Sequence, residues 1–492
     1  MNNHTENVIR SITWDELKQA DRNLSVPFQL ILTGNDEPVI CEEIVRILPG
    51  KRLVAFGFWG KKVVVVKLFF ERGSAKRHLK REVEGVETLL ASAIPTPKLL
   101  WQGASQKNKI QVLLFERISE ADNLDTIWQD KKSPDEAIHL MQAIIIELAT
   151  QHVMGVVQND LHLKNFLVTE KHIYTLDGGS ITNVEGILSK EESLDHLALF
   201  FAQLGVGTEE LQEALFQTYI KSRSWIIKPA DIEFLRKATR KWIEKRWNRY
   251  EKKLQRNSTT FARKKTLKTL TMYDRDYQSA ELFHLLQDPE AIFQDKNTQL
   301  LKAGRTSTVA KISIDQRDYV IKRYNVKNAW HWLRRCLRPS RAATSWVLSQ
   351  RLRLFAVPTP KPVAFIEKRF LNLRGTSYFI MEYTDGPHVG EYFANYRGEN
   401  QQLVDVAKNI IRLFVNLAKL RLTHGDLKMT NILIEDNRPM IIDLDGMVEH
   451  RTQLGLRMAF KKEMRRFMKN WDNLPSVKEM FLGLIKKATG SS

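Results

Sequence analysis

Two stretches of the sequence repeat one arrangement of acidic and amide side chains. In each, an asparagine follows an aspartate by five positions, and a second aspartate, in a β-rich segment, follows the asparagine by twelve. The two sets are Asp160, Asn165 and Asp177, and Asp426, Asn431 and Asp443. Mg²⁺ prefers oxygen ligands such as carboxylates and amides, and a carboxylate beside a hydroxyl can take its proton. The pattern therefore predicts phosphoryl transfer, which depends on alignment and charge neutralisation.

A lysine within a β-rich run stands upstream of each acidic set. Lys67 lies in the run 63–70 and Lys322 in the run 319–324, where β-branched and aromatic residues predict strands. A lysine in a strand is ordinarily an exposed or edge residue, but its recurrence in both halves favours a functional role. Its ammonium group supplies the cation that must hold the phosphates that are not transferred.

The elements that must position these residues repeat as well. After each lysine the pattern predicts a helix, a Pro-Thr-Pro turn, another strand and a long amphipathic helix that leads to the Asp–Asn loop. Pro95 precedes Asp160 by 65 residues, and Pro358 precedes Asp426 by 68. We therefore predict an α+β fold with two tandem bilobal domains, each with a small β-rich N-lobe and a larger helical C-lobe. The predicted domains are 1–285, with lobes at about 25–117 and 118–285, and 286–492, with lobes at about 296–383 and 384–492.

The two acidic sets resemble the catalytic loop and metal-binding motif of the protein-kinase-like superfamily. The resemblance implies that Asp160 and Asp426 orient and deprotonate the acceptor hydroxyl, with ATP and Mg²⁺ as cofactors. The implied metal ligands are Asn165, Asp177, Asn431 and Asp443, and the implied phosphate-binding residues are Lys67 and Lys322.

The same resemblance implies a helix glutamate that pairs with the strand lysine. Glu82 matches it in the first half, with Glu84 and Glu87 as rivals on the same helix. The second half has Ser345 at the equivalent position, so the pair there is absent or rebuilt. Asp445, two positions beyond the second metal-binding aspartate, is either a further metal or acceptor contact or a solvated turn acid.

A phosphate-covering loop is also expected. Gly304 and Ser307 lie in a segment that resembles it, although it has one glycine where protein kinases have three; small residues in such a turn can offer N–H groups to phosphate. The segment 48–52 of the first half matches less well. Glu116 and Glu382, each at the end of a predicted strand, complete the cofactor-binding residues.

Local segments of both halves are similar to bacterial lipopolysaccharide core kinases. They are 194–201 in the first half, and 304–309, 319–325, Ser340-Arg341-Ala342 with Trp346, 357–362 and 465–471 in the second. That family uses ATP to phosphorylate heptose or 3-deoxy-D-manno-octulosonic acid (Kdo) of the inner core. The resemblance implies a sugar kinase with a phosphorylated glycolipid substrate, peripheral to the cytoplasmic face of the inner membrane of a Gram-negative bacterium.

The sequence departs from protein kinases at two places. Gln158-Asn159 stands where His-Arg or His-Gly usually precedes the catalytic aspartate, whereas His424-Gly425 fits small-molecule kinases. Neither half has an Ala-Pro-Glu motif after its metal-binding aspartate, which weighs against a peptide-docking groove. Two alternatives stay open: a Ser/Thr protein kinase, and a scaffold in which one half is a pseudokinase.

The net charge of +19 favours either simple solubility or a polyanionic partner. The region 236–268 is densely basic with aromatic residues interleaved, and 330–338 combines tryptophan with arginine. Each is either a helix that packs on its own domain or a surface that docks on an anionic membrane or glycolipid. We recognise no nucleic-acid module in the sequence, so nucleic acid is not the expected partner.

Two cysteines, Cys41 and Cys336, exclude a disulfide scaffold and a cysteine-rich zinc site, and they fit a reducing compartment. No apolar run approaches the roughly 18 residues that span a bilayer. The polar segment 1–12 does not have the pattern of a secretory signal. These features predict a cytoplasmic protein.

Overall fold

We analysed a computed structural model of the chain. It describes residues 9–22, 24–130, 134–296, 298–326, 328, 330, 332–333, 336–396 and 400–489. The contacts divide the chain into two compact units. Unit 1 comprises Met1–Gln203 and Glu210–Trp242, and unit 2 comprises Leu204–Glu209 and Ile243–Ser492. This division lies upstream of residue 285, where the sequence pattern placed the boundary.

Unit 1 begins with a closed six-stranded barrel in the order β1-β2-β3-β4-β6-β5. Its strands are β1 Phe28–Leu32, β2 Asn35–Leu48, β3 Arg52–Trp59, β4 Lys62–Phe69, β5 Leu99–Ser105 and β6 Ile110–Glu116. Along β4, Val64, Val66 and Leu68 are fully buried inside the barrel. Because side chains alternate across a strand, Lys67 falls on the opposite face, which is where the candidate site forms.

The rest of unit 1 is mainly helical, with short strand pairs that hold the loops. The helices are α1 Trp14–Gln19, α2 Ala75–Ala91, α3 Leu124–Asp130, α4 Pro134–Val153, α5 Lys190–Phe201, α6 Glu209–Arg223 and α7 Pro229–Lys253. The strands are β7 Asp122–Asn123, β8 Val156–Gln158, β9 Phe166–Val168, β10 Ile173–Thr175 and β11 Ile181–Asn183. The division between the units falls within α7.

Unit 2 is built on a seven-stranded sheet in the order β12-β13-β17-β18-β16-β15-β14. Its strands are β12 Phe261–Lys265, β13 Thr269–Asp274, β14 Gln299–Ala303, β15 Ser307–Ile314, β16 Arg317–Tyr324, β17 Pro362–Phe370 and β18 Leu373–Glu382. The first two lie before residue 285, yet β13 pairs with β17 in a continuous antiparallel register from Thr269↔Lys368 to Tyr273↔Ala364. That pairing explains why the compact unit starts earlier than the sequence pattern suggested.

Helices cover this sheet and form most of the remainder of unit 2. They are α8 Ala280–Gln287, α9 Ala291–Gln294, α10 Arg341–Leu354, α11 Val389–Asn395, α12 Asn400–Lys419, α13 Gln453–Lys469 and α14 Pro475–Thr489. The short strands are β19 Leu422–Thr423, β20 Ile432–Glu435, β21 Arg438–Ile441 and β22 Val448–Glu449. Helix α12 buries Val406, Ile410, Phe414 and Leu417, an i, i+4, i+8, i+11 stripe that faces the core.

The prediction of a mixed fold of helices and strands is confirmed, and the elements are consistent with a protein-kinase-like fold. The division into two bilobal domains stays a prediction. Among the described residues, no helix is both long and apolar enough to span a bilayer.

Candidate active sites

The strand lysine and the helix glutamate of unit 1 form a buried ion pair. Lys67 Nζ binds Glu82 Oε1, and the side chain of Glu82 is 4% exposed. Burial acts to raise the pKa of Glu82, but the Lys67 ammonium and the Gly179 N–H, 3.1 Å from Oε2, hold that pKa below its usual value. Glu84, one of the two rivals, instead forms an exposed pair with Lys80 at 3.6 Å. The structure therefore selects Glu82 as the partner of Lys67.

Glu82 is held in place by close contact between α2 and the turn Gly178–Ser180. A Cβ atom added to Gly85 would lie 1.8 Å from the Gly178 carbonyl oxygen, and one added to Gly178 would lie 2.4 Å from the Glu82 carbonyl oxygen. Any side chain at either position would push the helix away from the turn. These two glycines therefore set the distance between the glutamate and the metal-binding motif.

The Asp–Asn loop of unit 1 is closed on itself by hydrogen bonds. Asn165 Nδ2 donates to the Asp160 carbonyl oxygen at 2.7 Å, and the Leu176 N–H donates to the Asn165 carbonyl oxygen at 2.8 Å. Because the amide nitrogen of Asn165 is used in this way, its Oδ1 is left as an acceptor. Because Leu176 directly precedes Asp177, this second hydrogen bond holds Asn165 close to Asp177. A metal site formed by these two residues requires such an arrangement.

Asp177 occupies an unusual backbone conformation and an unusual electrostatic environment. Its φ is 65°, in the left-handed region that non-glycine residues rarely adopt. Burial and the nearby Glu82 raise its pKa, while Lys67 and Arg52 act in the opposite direction. A half-buried carboxylate in this position is suited to hold a divalent cation.

These residues line a cleft of about 1020 Å³. Lys67, Glu82, Glu116 and Asp177 are among its polar groups, and Val54, Val65, Phe115, Leu167 and Leu176 are among its apolar walls. That volume lies at the upper end of the usual range for small-molecule sites. The cleft can therefore place an apolar ring system between its walls and phosphates beside the lysine.

Two arginines at this site were not expected from the sequence. Arg46 on β2 and Arg52 on β3 lie close enough to the acidic groups to affect their protonation. Burial and Arg52 lower the pKa of Arg46, while Asp177 and Asp160 raise it. The segment 48–52 resembles the phosphate-covering loop of kinases only weakly. In the structure this segment is the turn of the β2–β3 hairpin, and the hairpin supplies cationic side chains. No local pattern in the sequence indicated this, because the β2–β3 hairpin and Asp177 are far apart in the chain.

A buried chain of hydrogen bonds supports the catalytic loop of unit 1 from behind. The contacts are Arg223 Nη1 to Tyr219 Oη (2.9 Å), Tyr219 Oη to His152 Nδ1 (2.7 Å), His152 Nε2 to His196 Nδ1 (2.7 Å) and His196 Nε2 to the Gln158 carbonyl (2.8 Å). A guanidinium only donates and a carbonyl only accepts. With both imidazoles neutral, every N–H and O–H in the chain donates in the same direction, from Arg223 towards Gln158.

That direction requires both imidazoles to be neutral. Burial lowers the pKa of His152 well below its usual value, and the neighbouring His196 and Arg223 add to the effect. Burial likewise lowers the pKa of His196. The terminal acceptor, Gln158, stands two residues before Asp160. Gln158 therefore stands at the position where protein kinases have a histidine, two residues before the loop aspartate, and the chain of hydrogen bonds ends on its carbonyl group.

Unit 2 uses a different partner for its strand lysine. Lys322 Nζ binds Asp443 Oδ1 and lies 3.4 Å from Asp445 Oδ1. Ser345, which stands at the position of the helix glutamate, is buried and lies 2.9 Å from the Tyr324 hydroxyl. Burial acts to lower the pKa of Lys322, but Tyr324, Asp443 and Asp445 raise it. The ion pair with a helix glutamate is thus replaced by one with the metal-binding motif.

Asp445 is not a solvated turn acid, because its side chain is 7% exposed and is bound by Arg341 Nε. Burial raises the pKa of Asp445, and its hydrogen bond with Asp443 raises it further, although Lys322 and Arg341 act to lower it. The pKa of Asp443 is lowered, because its hydrogen bond with Asp445 and the Lys322 ammonium outweigh the effect of burial. Arg341 Nη1 also donates to the Thr306 carbonyl at 3.2 Å. Arg341, at the first position of α10, therefore ties the predicted phosphate loop to the acidic pair, a role that the sequence did not suggest.

The Asp–Asn loop of unit 2 has the same internal bonds as that of unit 1. Asn431 Nδ2 donates to the Asp426 carbonyl at 2.8 Å, and the Ile442 N–H donates to the Asn431 carbonyl at 3.0 Å. Asp443 has a φ of 64°, within one degree of its counterpart in unit 1. Two units with different lysine partners therefore share one backbone arrangement at the metal-binding motif.

The carboxylate of Asp426 is held between two cations. Arg466 Nη2 lies 2.6 Å from Oδ1, and Lys428 Nζ lies 2.8 Å from Oδ2. Both cations are about half exposed, so the surface around Asp426 is open and positively charged. This environment is suited to an acceptor that has negative charge of its own.

The remaining predicted residues of unit 2 have separate positions. The Gly304 N–H donates to the Ser307 carbonyl at 3.0 Å, which closes the turn between β14 and β15, and Ser307 is buried. Glu382 accepts from the Tyr277 hydroxyl at 2.6 Å and lies 4.0 Å from Lys361. Within the described residues, the side chain of Glu382 contacts neither Lys322 nor Asp443.

The donor atoms fit Mg²⁺. Each unit offers one carboxylate and one amide oxygen, from Asp177 and Asn165 or from Asp443 and Asn431. Mg²⁺ is commonly held by one or two carboxylates, and phosphate and water oxygens complete its coordination shell. In the described residues no cluster of three or more histidine, cysteine, aspartate and glutamate side chains forms a metal site. The sets are therefore suited to a metal that arrives with a nucleotide.

A strand lysine, an Asp–Asn loop and a left-handed aspartate are the parts of a protein-kinase-like phosphotransferase. Residues 348–473 match the RIO domain (RIO1), an atypical kinase-like family of ATP-binding phosphotransferases. The match includes Asp426, Asn431 and Asp443 and begins after Lys322. No curated protein matches the chain. The similarity to lipopolysaccharide core kinases stays a prediction.

Proposed function

We propose that the protein is an ATP- and Mg²⁺-dependent phosphotransferase with a nucleotide site in each unit. The observation that supports this proposal best is the cleft of unit 1, where the Lys67–Glu82 pair and Asp177 line one cavity. A nucleotide bound there has apolar walls for its base and a lysine for its phosphates. The match of 348–473 to the RIO domain supports the same chemistry for unit 2.

In this mechanism the residues of the chain act mainly by positioning and by charge. Lys67 and Lys322 hold the phosphates that are not transferred, and Asp177 with Asn165, and Asp443 with Asn431, hold the magnesium. When bound, the metal neutralises charge that develops on the transferred phosphoryl group. Asp160 and Asp426 accept the proton of the acceptor hydroxyl as it attacks.

We propose that the acceptor is a sugar hydroxyl, heptose or Kdo, of the lipopolysaccharide inner core. The cations beside Asp426 favour an anionic acceptor such as a phosphorylated glycolipid. The segment after the metal-binding motif is also short: the turn Leu444–Gly446 is followed by β22 Val448–Glu449 and then by α13, which begins at Gln453. Such a segment leaves little chain to build the platform on which protein kinases bind peptides.

The second candidate is a Ser/Thr protein kinase, and the RIO similarity favours it, because RIO domains are atypical protein kinases.

One experiment separates the sugar-kinase proposal from the protein-kinase candidate. The full-length protein is incubated with γ-labelled ATP and Mg²⁺, together with either core lipopolysaccharide or a protein extract. The first proposal expects label on the lipopolysaccharide; label confined to protein would reject the sugar acceptor in favour of the second.

A third possibility is that one unit is a pseudokinase. The direct Lys322–Asp443 bond and the serine at position 345 make unit 2 the candidate.

The location that goes with the glycolipid proposal is the cytoplasmic face of the inner membrane of a Gram-negative bacterium, with the protein bound to the anionic membrane surface rather than inserted through it.

A further inference from the structure

Three segments of unit 2 expose large apolar side chains to solvent. They are the β12–β13 turn, the residues that precede α10, and the β17–β18 turn. Their exposed members are Leu267, Trp330, Leu333, Leu337, Phe370 and Leu371, each between 58% and 76% exposed. We call these six residues the apolar patch. Single exposed apolar residues are ordinary, but a group of this size on one surface indicates an interaction site.

Backbone hydrogen bonds bring the three segments to the same end of the sheet. The Arg369 N–H donates to the Lys268 carbonyl at 2.7 Å, which joins the β12–β13 turn to the β17–β18 turn. The Arg374 N–H donates to the Cys336 carbonyl at 3.0 Å, and Arg374 Nη1 donates to the Leu337 carbonyl at 2.8 Å. Arg369 and Arg374 are themselves opposite each other in the hairpin. The patch is therefore one surface assembled from distant parts of the sequence.

The surroundings of the apolar patch are cationic. Over 263–269, 327–341 and 368–374 the sequence has twelve lysines and arginines and no acidic residue. Of these residues, 327, 329, 331, 334 and 335 lie outside the described part of the chain. The nearby Glu367 is 1% exposed and is neutralised by Arg369 at 2.7 Å and Arg374 at 3.3 Å. Of the nine described basic residues, Arg341 binds Asp445, and Arg369 and Arg374 bind Glu367. The other six are exposed: Arg263, Lys264, Lys265, Lys268, Arg338 and Lys368.

We propose that the apolar patch is a docking surface for an anionic lipid bilayer. Its leucine and phenylalanine side chains enter the headgroup region, and the surrounding lysines and arginines bind lipid phosphates, a combination that interfacial segments use. Leu267, Phe370 and Leu371 lie at or beside the tips of two hairpin turns, whereas Trp330, Leu333 and Leu337 lie in the segment before α10. A fluid lipid surface accommodates such tips, whereas a folded protein partner needs matching shape. This proposal identifies the surface by which the protein would bind the membrane proposed above. It rests on the glycolipid function only for the reason why the protein binds a membrane.

Vesicle co-sedimentation of the full-length protein tests this directly, without ATP. The probe is vesicles of phosphatidylcholine with and without phosphatidylglycerol. The variant Leu337→Ser/Phe370→Ser/Leu371→Ser alters only exposed side chains, so it is expected to fold. A matched control, Leu454→Ser/Met458→Ser/Leu482→Ser, removes three exposed apolar side chains on α13 and α14.

The wild type and the control are expected to bind the phosphatidylglycerol vesicles, with binding weakened by salt and absent on phosphatidylcholine alone. The patch variant is expected to bind at least about tenfold more weakly, since each buried apolar group contributes to partitioning. Equal binding of the patch variant and wild type overturns the proposal, as does loss of binding in the control alone. The proposal is also overturned if the wild type does not bind the vesicles but forms a dimer that the patch variant does not form, as measured by light scattering.

A label reports contact at the patch itself. Cys41 and Cys336 are buried, so a bimane group attached to Leu371→Cys reacts at one exposed thiol. Its emission is expected to shift to the blue on phosphatidylglycerol vesicles, and the same label at Leu454→Cys is expected not to shift. A shift at Leu454 without one at Leu371 contradicts the proposal. Because none of these measurements uses phosphate transfer, a failure of the kinase assignment would not change their outcome.

Discussion

The ammonium group of Lys322 is bound to the carboxylate of Asp443, the residue assigned to the metal in unit 2. In unit 1 the equivalent lysine is bound to a helix glutamate instead, and in the part of the chain that the structure describes no lysine or arginine forms an ion pair with Asp177. The difference follows from one sequence position, because Ser345 offers no carboxylate where Glu82 stands in unit 1. Under the proposed function, unit 1 is therefore arranged for a nucleotide in advance, whereas unit 2 must first separate Lys322 from Asp443.

This contrast predicts a difference in nucleotide affinity. The variant Asp443→Asn, which retains an intact unit 1, is expected to bind Mg·ATP more tightly than Asp177→Asn, which retains an intact unit 2. We expect a difference of about tenfold, since rearranging a buried ion pair before binding costs free energy. Isothermal titration calorimetry measures both constants. Tighter binding by the protein with the intact unit 2 would contradict the prediction.

Replacing the proposed bases tests the catalytic assignment. Asp160→Ala and Asp426→Ala are each expected to lower phosphate transfer, with the double variant inactive. Loss of a general base typically reduces the rate by about 10²–10⁴-fold. The measurement is label transfer to the acceptor under saturating ATP. If one single variant retains full activity, that unit does not catalyse the measured reaction.

The Lys67–Glu82 pair is tested in an Asp426→Ala background, so that only unit 1 contributes. Glu82→Gln is expected to lower kcat/KM for ATP by about 10- to 100-fold, because it leaves the partly buried ammonium of Lys67 without its counter-charge. Glu84→Gln is the matched control, since Glu84 lies on the same helix with its side chain 56% exposed. Equal effects of the two variants would show that α2 carries no specific partner for Lys67.

The contact between α2 and the metal-binding turn predicts a steric effect. Gly85→Ala places a Cβ 1.8 Å from the Gly178 carbonyl oxygen, so helix and turn must separate. We expect it to destabilise unit 1 by about 1–3 kcal/mol, as overpacked sites do, and to reduce ATP binding there. Gly483→Ala is the control, because nothing lies within 4 Å of its added Cβ and α14 is a regular helix. That change is expected to stabilise the protein slightly.

The histidine chain behind the Asp160 loop predicts a pH dependence of stability. Burial lowers the pKa of both His152 and His196 from the ordinary value of 6.5. Below pH 6.5 the unfolded chain therefore binds protons that the folded chain does not, and the free energy of unfolding falls as the pH falls. Thermal unfolding measured between pH 7.5 and 5.5, roughly across this range, is expected to show a decreasing Tm.

A variant that removes the two imidazoles separates this effect from general acid unfolding. His152→Phe/His196→Met is expected to have a lower Tm than wild type at neutral pH, because Tyr219 and the Gln158 carbonyl lose their partners. Its Tm should change less with pH over the same interval. An unchanged slope would mean that other groups cause the dependence.

The sequence was informative wherever function depends on spacing along the chain. The Asp–Asn loop and its following aspartate are local, since five and twelve residues separate their members, and the structure closes both loops with the same internal hydrogen bonds. The strand lysines were also found from sequence, because a charged residue inside a β-branched run interrupts an otherwise apolar pattern. Glu82 was found with two rivals, since a helical pattern shows which residues share a helix but not which of them meets a distant strand.

Other features depended on contacts between distant segments. Arg46 and Arg52 approach Asp177 because strands and loop far apart in sequence fold together, and Arg341 meets Asp445 across 104 positions. The early start of the unit 2 sheet depends on the β13–β17 pairing, which no local pattern of 269–274 reveals.

The sequence by itself determined which chemistry the chain offers, because the types and spacing of acids, amides and lysines are local properties. Only the tertiary structure decided which charges meet. It paired Lys67 with a helix glutamate and Lys322 with Asp443, aligned four side chains behind the Asp160 loop, and gathered six apolar residues at one end of a sheet. These outcomes depend on packing and on the low dielectric of the interior. There, the interaction energy of two charges depends on their distance in space and not on their separation in sequence.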